Sequence, residues 1–264
     1  MRTPTRKVIP EAEAGRIIGM LNIESPDDID LELIAASHYI LVREEHLTGA
    51  EARLVRTLRG GVITVRSDLE PPGRKRFAIA HELGHFFLHP DTQQLNLCGA
   101  KDMSAWSDGF QSEEAEANAF AAELLMPSKL FEPLLKDRDP SFDMICELAS
   151  QFRTTLTASA LQFVKHTKEP CVLVFSDGKT QTRFAASSSF SGDFKIRAGT
   201  AIHPYTCASE IIRKQTAHLR ANNVPAGAWL EGFSPDGREI LTEDSFLLGP
   251  YGIILSLVWV SSDI

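Results

Sequence analysis

Apolar and polar positions along the chain change period several times, and each change marks an element. Residues 11–22 and 29–37 read as helices, the second introduced by the acidic turn SPDDID that suits a helix N-terminus. The segments YILVREEHL and EARLVRTLRGGVITVRSD read as strands, with Val62, Ile63 and Val65 apolar or β-branched and a turn at Gly60-Gly61. EPPGRKR is expected to be the loop that delivers the chain into RFAIAHELGHFFLH, residues 76–89. There Phe77, Ala78, Ile79, Ala80, Leu83, Phe86, Phe87 and Leu88 are apolar nearly all the way round, the pattern of a helix buried on most sides. A polar, irregular stretch runs from Pro90 to Gln111, placed to rim a cleft. After it, SEEAEANAFAAELLMP (112–127) is rich in alanine and leucine, with Ser112 as cap and Pro127 as stop.

The pattern continues as two helices in DMICELASQFRTTLTASALQFVKH (143–166), joined by a turn at Phe152–Thr155. Leu148, Ala149, Phe152, Leu156, Ala160 and Phe163 have the spacing of a helix-turn-helix core. From Pro170 the chain turns to β. CVLVFSDGKTQTRFAASSSF reads as strand, Asp-Gly turn and strand. AGAWLEGF, REILTEDSFLL and YGIILSLVWV are expected to add strands, the last with Ile253, Leu255, Leu257 and Trp259 alternating as on a half-buried sheet edge or centre, and TCASEIIRKQTAHLRAN is expected to be helical. A first region at 1–137, a helical segment at 138–168 and a mixed α/β domain at 169–264 follow from these changes.

Composition narrows the classes. At 264 residues the chain is long enough for one large domain or two to three small ones, and 43% hydrophobic with 23% charged content is that of a globular protein. The net charge of −8 argues against generic nucleic-acid binding. No run of about 18 apolar residues appears, so no membrane span is expected. MRTPTRKVIPEAEAG has basic residues without an apolar stretch behind them, so no signal peptide is expected. Cys98, Cys146, Cys171 and Cys207 form no CxxC pair, which together with the N-terminus points to a reduced cytoplasm.

The chemistry concentrates in the buried helix. His81 and His85 are four apart and project from one face, His89 repeats the step, and Glu82 follows the first histidine. Buried imidazoles need partners, and a metal is one. A catalytic zinc takes three protein ligands and keeps one position open; HExxH supplies two of them and a glutamate able to take a proton. Glu113, Glu114, Glu116 and Glu123 on the next helix are all candidates for the third, and periodicity does not choose among them. Glu114 has Asn118 one turn later on its own face, where it can hydrogen-bond a histidine ligand from behind. For His89 a core or capping role is expected, and for Cys98 an ordinary buried thiol. Arg74, Lys75, Arg76 and Tyr39 are candidates for stabilising an oxyanion.

HELGH followed after a polar loop by EAEANAFAAELLMP resembles the ImmA/IrrE family of bacterial metallopeptidases, over roughly residues 25–165. The match falls on Glu114, Ala117, Asn118, Phe120, Ala121 and Leu124-Leu125-Met126-Pro127. The resemblance implies an α+β fold with a zincin-like metallopeptidase domain, one Zn2+ per chain on His81, His85 and Glu114, and Glu82 as catalytic base. It implies a helix-turn-helix-like segment and, by arrangement alone, a GAF-like C-terminal sensor, with a packing or dimerisation domain as the equal alternative. It points to a helix-turn-helix transcriptional repressor as the protein substrate. From 140 to 166 the charges Arg153, Lys165, Asp143 and Glu147 cancel, which favours packing over DNA binding for that segment. The contrasting reading is a non-proteolytic regulator whose zinc is structural; a closed structural site would have no use for Glu82.

Overall fold

The computed structural model describes residues 9–90, 96–98, 112–190, 195–196, 199–249 and 252–260, with the backbone alone at 96–98. Most of the polar stretch between Pro90 and Gln111, and the Cys98 thiol, lie outside the described residues. The protein is mixed α+β and divides into two compact units: residues up to Pro133 with Ala149–Thr155, and Leu134–Leu148 with Leu156–Ile264. No helix among the described residues is long and apolar enough to cross a membrane.

The first unit begins with α1 (Pro10–Met20) and α2 (Leu31–Ala36), the latter capped by Asp30, whose side chain accepts from the amides of Glu32 and Leu33. Strands β1 (Ile40–Glu45), β2 (Ala52–Arg56), β3 (Gly61–Arg66) and β4 (Asn96–Cys98) form one sheet in the order β1-β3-β2-β4. β1 runs parallel to β3, with Val42 opposite Ile63, and the β2 pairings are antiparallel. Gly60 is required at the turn before β3, because a Cβ there would collide with the backbone carbonyl of Tyr39. Helix α3 (Pro72–Leu88) packs on β2 and β3, and α4 (Glu113–Leu125) packs on α3 and α1. Ile17, Ile18, Ile63, Leu83, Phe120 and Phe131 are at most 2% exposed and belong to the core of this unit.

EPPGRKR is not all loop. α3 starts at Pro72, so Gly73 to Arg76 form its first turn. Proline at the first helical position loses no intrahelical hydrogen bond and has the right φ already. Gly73 then lies against the backbone of Thr154, where a Cβ would meet the Thr154 carbonyl carbon at 2.5 Å.

Beyond α4 come α5 (Ser128–Phe131), α6 (Phe142–Phe152) and α7 (Leu156–His166), the last two separated by a turn in which Arg153 has φ 55°. The second unit is built on a five-stranded antiparallel sheet of β5 (Cys171–Ser176), β6 (Gln181–Ala186), β7 (His218–Pro225), β8 (Ile240–Leu248) and β9 (Ile253–Trp259), in the order β6-β5-β9-β8-β7. Helix α8 (Cys207–Lys214) packs on β7, β8 and β9, and α7 packs on β5 and β6.

Three expectations for this region are corrected. The helix ends at Lys214, and HLRANNVP is strand β7. Gln215 adopts a left-handed conformation, φ 55°, that stops the helix, and the strand's pairing with β8 outweighs local propensity. AGAWLEGF is not a strand: Ala226–Ala228 is a short 3-10 helix, and Trp229 is buried beneath it rather than on a sheet. β9 is central and buried along Ile254–Trp259, not half-buried, because the sheet is covered on both faces.

Two successive acids on β8 show how both faces are covered. Glu243 accepts from the amides of Cys207 and Ala208 at the start of α8, and from Trp229 Nε1 and Ser245 Oγ. Asp244, turned to the other face, accepts from the Phe142 amide at the start of α6 and pairs with His218 at 2.7 Å. Each helix start carries backbone N–H groups without intrahelical partners, and a buried carboxylate satisfies them.

Candidate metal centre

The site is made where α3 meets α4. Residues Phe77 to His85 of α3 are all buried, so His81, Glu82 and His85 are held in one rotational setting by packing on every side. Gly84 lets α4 come close: a Cβ there would lie 2.9 Å from Ala117 Cα and 3.0 Å from its carbonyl oxygen. α4 is started by Ser112, whose hydroxyl accepts from the Ala115 amide at 3.1 Å, and its first turn carries Glu113, Glu114 and Glu116 at the positive end of the helix dipole.

The far end of α3 is closed by an arginine from the sheet. Arg56 Nη2 donates to the carbonyls of His85, Phe86 and His89 at 2.6, 3.1 and 3.0 Å, adding a second donor to His85 and taking up two C-terminal carbonyls that lie past the last intrahelical bond. Burial lowers the Arg56 guanidinium from its ordinary value.

Between the helices, His81 Nε2 lies 3.0 Å from His85 Nε2 and 3.1 Å from one Glu114 oxygen, and His85 Nε2 lies 3.3 Å from the other. Both histidines are fully buried, while Glu114 is about one-third exposed and opens the cluster to one side. His81 Nδ1 faces Asn118 Oδ1 at 2.9 Å. Burial alone would raise the Glu114 carboxyl, but the His81 and His85 rings beside it outweigh that, and the net shift is strongly downward.

This donor set fits a metal. The three groups offer ligand atoms that all lie within 4.8 Å of one another. A tetrahedral ion with bonds of about 2.0–2.1 Å holds its ligand atoms about 3.3 Å apart, and the spacing found is close to that. Two imidazoles and one carboxylate form the set of a site with one position left open.

The remaining candidates divide clearly. Of the four acids on α4, Glu114 joins the two histidines, Glu116 accepts from His89 Nε2 at 3.1 Å, and Glu123 caps α5 by accepting from the Ser128 amide at 2.9 Å and its hydroxyl at 2.6 Å. Glu82 is fully buried beside the cluster in sequence. Arg74 pairs with buried Glu51, Lys75 with Glu44, and Arg76 with the Ile29 carbonyl, while Tyr39 is 81% exposed. The first three of these candidates thus have structural partners. Sequence reasoning missed Arg56 and the pairing of His89 with Glu116; the only signal for the latter was the third step of the i, i+4 histidine series.

A histidine pair on one buried helix, met by a carboxylate from the next, is the build of a metallopeptidase-type domain. Residues 35–162 match the model of the IrrE N-terminal-like domain, in line with the resemblance of the sequence to the ImmA/IrrE family. It is 29% identical over 165 residues to the radiation response metalloprotease IrrE of Deinococcus deserti, covering 56% of this chain and 57% of that protein. The protein of the same name from Deinococcus radiodurans is 28% identical over 138 residues, covering 50% of this chain and 39% of that one. The matches thus span about half the length of these relatives. Among solved structures, a Mycobacterium tuberculosis transcriptional regulator shares the fold with a TM-score of 0.59 at 17% identity, over 95% of this chain and 76% of that one.

Proposed function

We propose that the chain is a zinc-dependent endopeptidase that cleaves a specific intracellular protein, a helix-turn-helix transcriptional repressor, and so switches on a stress or mobile-element response. The observation that carries this reading is the convergence of His81, His85 and Glu114 on one point, with Glu82 in the helical turn between the two histidines. Zinc held there supplies a Lewis acid that polarises a scissile carbonyl and lowers the pKa of a water molecule. Glu82 accepts the proton released as the water attacks and then hands it to the leaving amine. His81 and His85 present their Nε2 lone pairs, and Asn118 holds the His81 ring in that setting by accepting from Nδ1. The exposed side of Glu114 leaves room for an extended substrate.

The remaining parts of the chain are read as control elements. Seven consecutive residues of α7, Ala158 to Val164, are buried, which leaves that stretch no free face to read bases and supports packing over DNA binding. A five-stranded antiparallel sheet covered on both faces is compatible with a GAF-like sensor. Charge cancellation over residues 140–166, which include α7, points the same way as its burial.

The test is a comparison of new protein N-termini in cells carrying the wild-type chain or Glu82→Gln, before and after stress. The expected result is one or a few cleavages that need Glu82, in a helix-turn-helix repressor. An absence of any Glu82-dependent cleavage, with stress control intact in the variant, would favour the non-proteolytic regulator.

A further inference from the structure

His89 sits at the C-cap of α3, where its backbone amide donates to the His85 carbonyl. A capping role uses that backbone and leaves the ring without a task. The ring nevertheless turns inward and is only 8% exposed. Its Nδ1 lies 3.1 Å from His85 Nδ1, and its Nε2 lies 3.1 Å from Glu116 Oε2 on α4. The three groups form a line that ends at the nitrogen facing His81 and Glu114.

We propose that Glu116 and His89 act as a positioning relay that fixes the tautomer and ring setting of His85. The inference rests on the metal-centre reading given above and concerns residues to which that reading gives no part.

The direction of the relay follows from donor and acceptor roles. An ionised carboxylate only accepts, so Glu116 requires a proton on His89 Nε2. In a neutral His89 ring, Nδ1 is then an acceptor. His85 must meet it with Nδ1–H, which leaves the His85 Nε2 lone pair directed at the cluster. The opposite arrangement would put a proton on His85 Nε2 and set the His89 Nε2 lone pair against the Glu116 carboxylate, lone pair against lone pair. On the other histidine, Asn118 Oδ1 does the corresponding work in one step. Both rings are therefore held from behind, one by an amide and one by an imidazole-carboxylate pair, and both from α4 or the end of α3.

The experiment uses the full chain in three forms beside the wild type. His89→Phe keeps the volume and removes both ring nitrogens. His89→Asn keeps a side-chain oxygen near the place of Nδ1 and is the conservative rescue. Glu116→Gln leaves α3 untouched and guards against a variant of α3 that fails to fold. Long-range proton–nitrogen correlation of the ring nitrogens at pH 8, on metal-free protein, reads the His85 tautomer. Competition with a chelator reads the zinc Kd, and Co2+ substitution gives the visible spectrum of the loaded site.

The wild type should show His85 as the Nδ1–H tautomer, with a zinc Kd that rises about 10- to 100-fold in His89→Phe, and with an altered Co2+ spectrum. His89→Asn should recover most of both. Glu116→Gln, whose amide can donate as well as accept, should give a mixture of tautomers. A folded His89→Phe or Glu116→Gln with the wild-type tautomer, Kd and spectrum overturns the relay. A wild type that holds the Nδ1–H tautomer but takes up no zinc overturns the metal-centre reading and leaves the relay standing.

Discussion

His81 Nε2 and His85 Nε2 stand 3.0 Å apart across one turn of α3, each on a ring whose other nitrogen faces a neighbour. Two imidazole lone pairs repel at that distance unless a proton or a metal ion lies between them. The Glu114 carboxylate, 3.1 and 3.3 Å from the two nitrogens, adds negative charge to the same point. Burial removes the water that would otherwise screen these groups, so the cluster favours a cation more strongly than the same residues would on a surface.

That relationship predicts one zinc per chain, with Glu114 as the third ligand. Glu114→Ala should weaken zinc binding by more than about 100-fold, beyond the range that outer hydrogen-bond partners of a ligand reach. Metal analysis after dialysis against a weak chelator, with circular dichroism to check the fold, measures it. A folded Glu114→Ala that retains one zinc would remove Glu114 from the ligand set.

Glu82→Gln separates binding from chemistry. It keeps the size and burial of the side chain but removes the group that takes the proton. Zinc stoichiometry should stay at the wild-type level while cleavage of a cognate substrate falls about 10²- to 10⁴-fold, the usual cost of losing a general base. Unchanged turnover would sink the hydrolytic mechanism proposed for this residue.

Gly84 links packing to the site. A side chain there meets the backbone of Ala117, which cannot move aside as a flexible side chain would. Overpacking of this kind costs roughly 1–3 kcal/mol. Alanine would recover up to about 1 kcal/mol through helix propensity, so Gly84→Val is the sharper probe. We expect a lower melting temperature together with weaker zinc binding, since α4 carries Glu114 three residues before the point of contact. Wild-type stability and affinity in Gly84→Val would mean that the helices have slack at this crossing.

How much of this could be read in the sequence depended on the range of the interactions involved. α3 and α4 were legible because their signals are local: apolar positions all round in the one, a serine cap and a proline stop in the other, although the start of α3 at Pro72 falls within a stretch that reads as loop. The first two histidines were legible because an i, i+4 pair is fixed by helix geometry alone. Arg56 was not, since it meets the end of α3 only after the sheet has formed under the helix. The His89–Glu116 pair is hidden for the same reason, because it depends on the rotational setting of α4 against α3. In the second unit the strand β7 was misread as helix because its partner β8 lies about twenty residues further on, and pairing rather than propensity decides it. β9 reads as half-buried because Ile253, Leu255, Leu257 and Trp259 fall at alternate positions, whereas burial runs along nearly its whole length.

The last prediction concerns Glu243, the buried acid at the start of α8. Four donors converge on it: the amides of Cys207 and Ala208, the Trp229 indole and the Ser245 hydroxyl. Glu243→Ala would strand these donors, and each buried unsatisfied group costs about 1–3 kcal/mol. A loss of more than about 3 kcal/mol is therefore expected for the second unit, read as hydrogen-exchange protection at the Cys207 and Ala208 amides. Glu243→Gln keeps one acceptor oxygen and should lose less. The acid and the amide also differ in their response to pH. Burial raises the Glu243 carboxyl above its ordinary 4.5, outweighing the hydrogen bonds that pull it down. A carboxyl raised on folding takes up its proton more readily in the folded state, so its contribution is complete below 4.5 and is lost as pH rises through the folded value. The wild type should accordingly gain on Glu243→Gln as the pH falls towards 4.5 from above the raised value. A difference that shrinks or reverses as the pH falls would mean that the four donors dominate and that the buried group folds as the carboxylate.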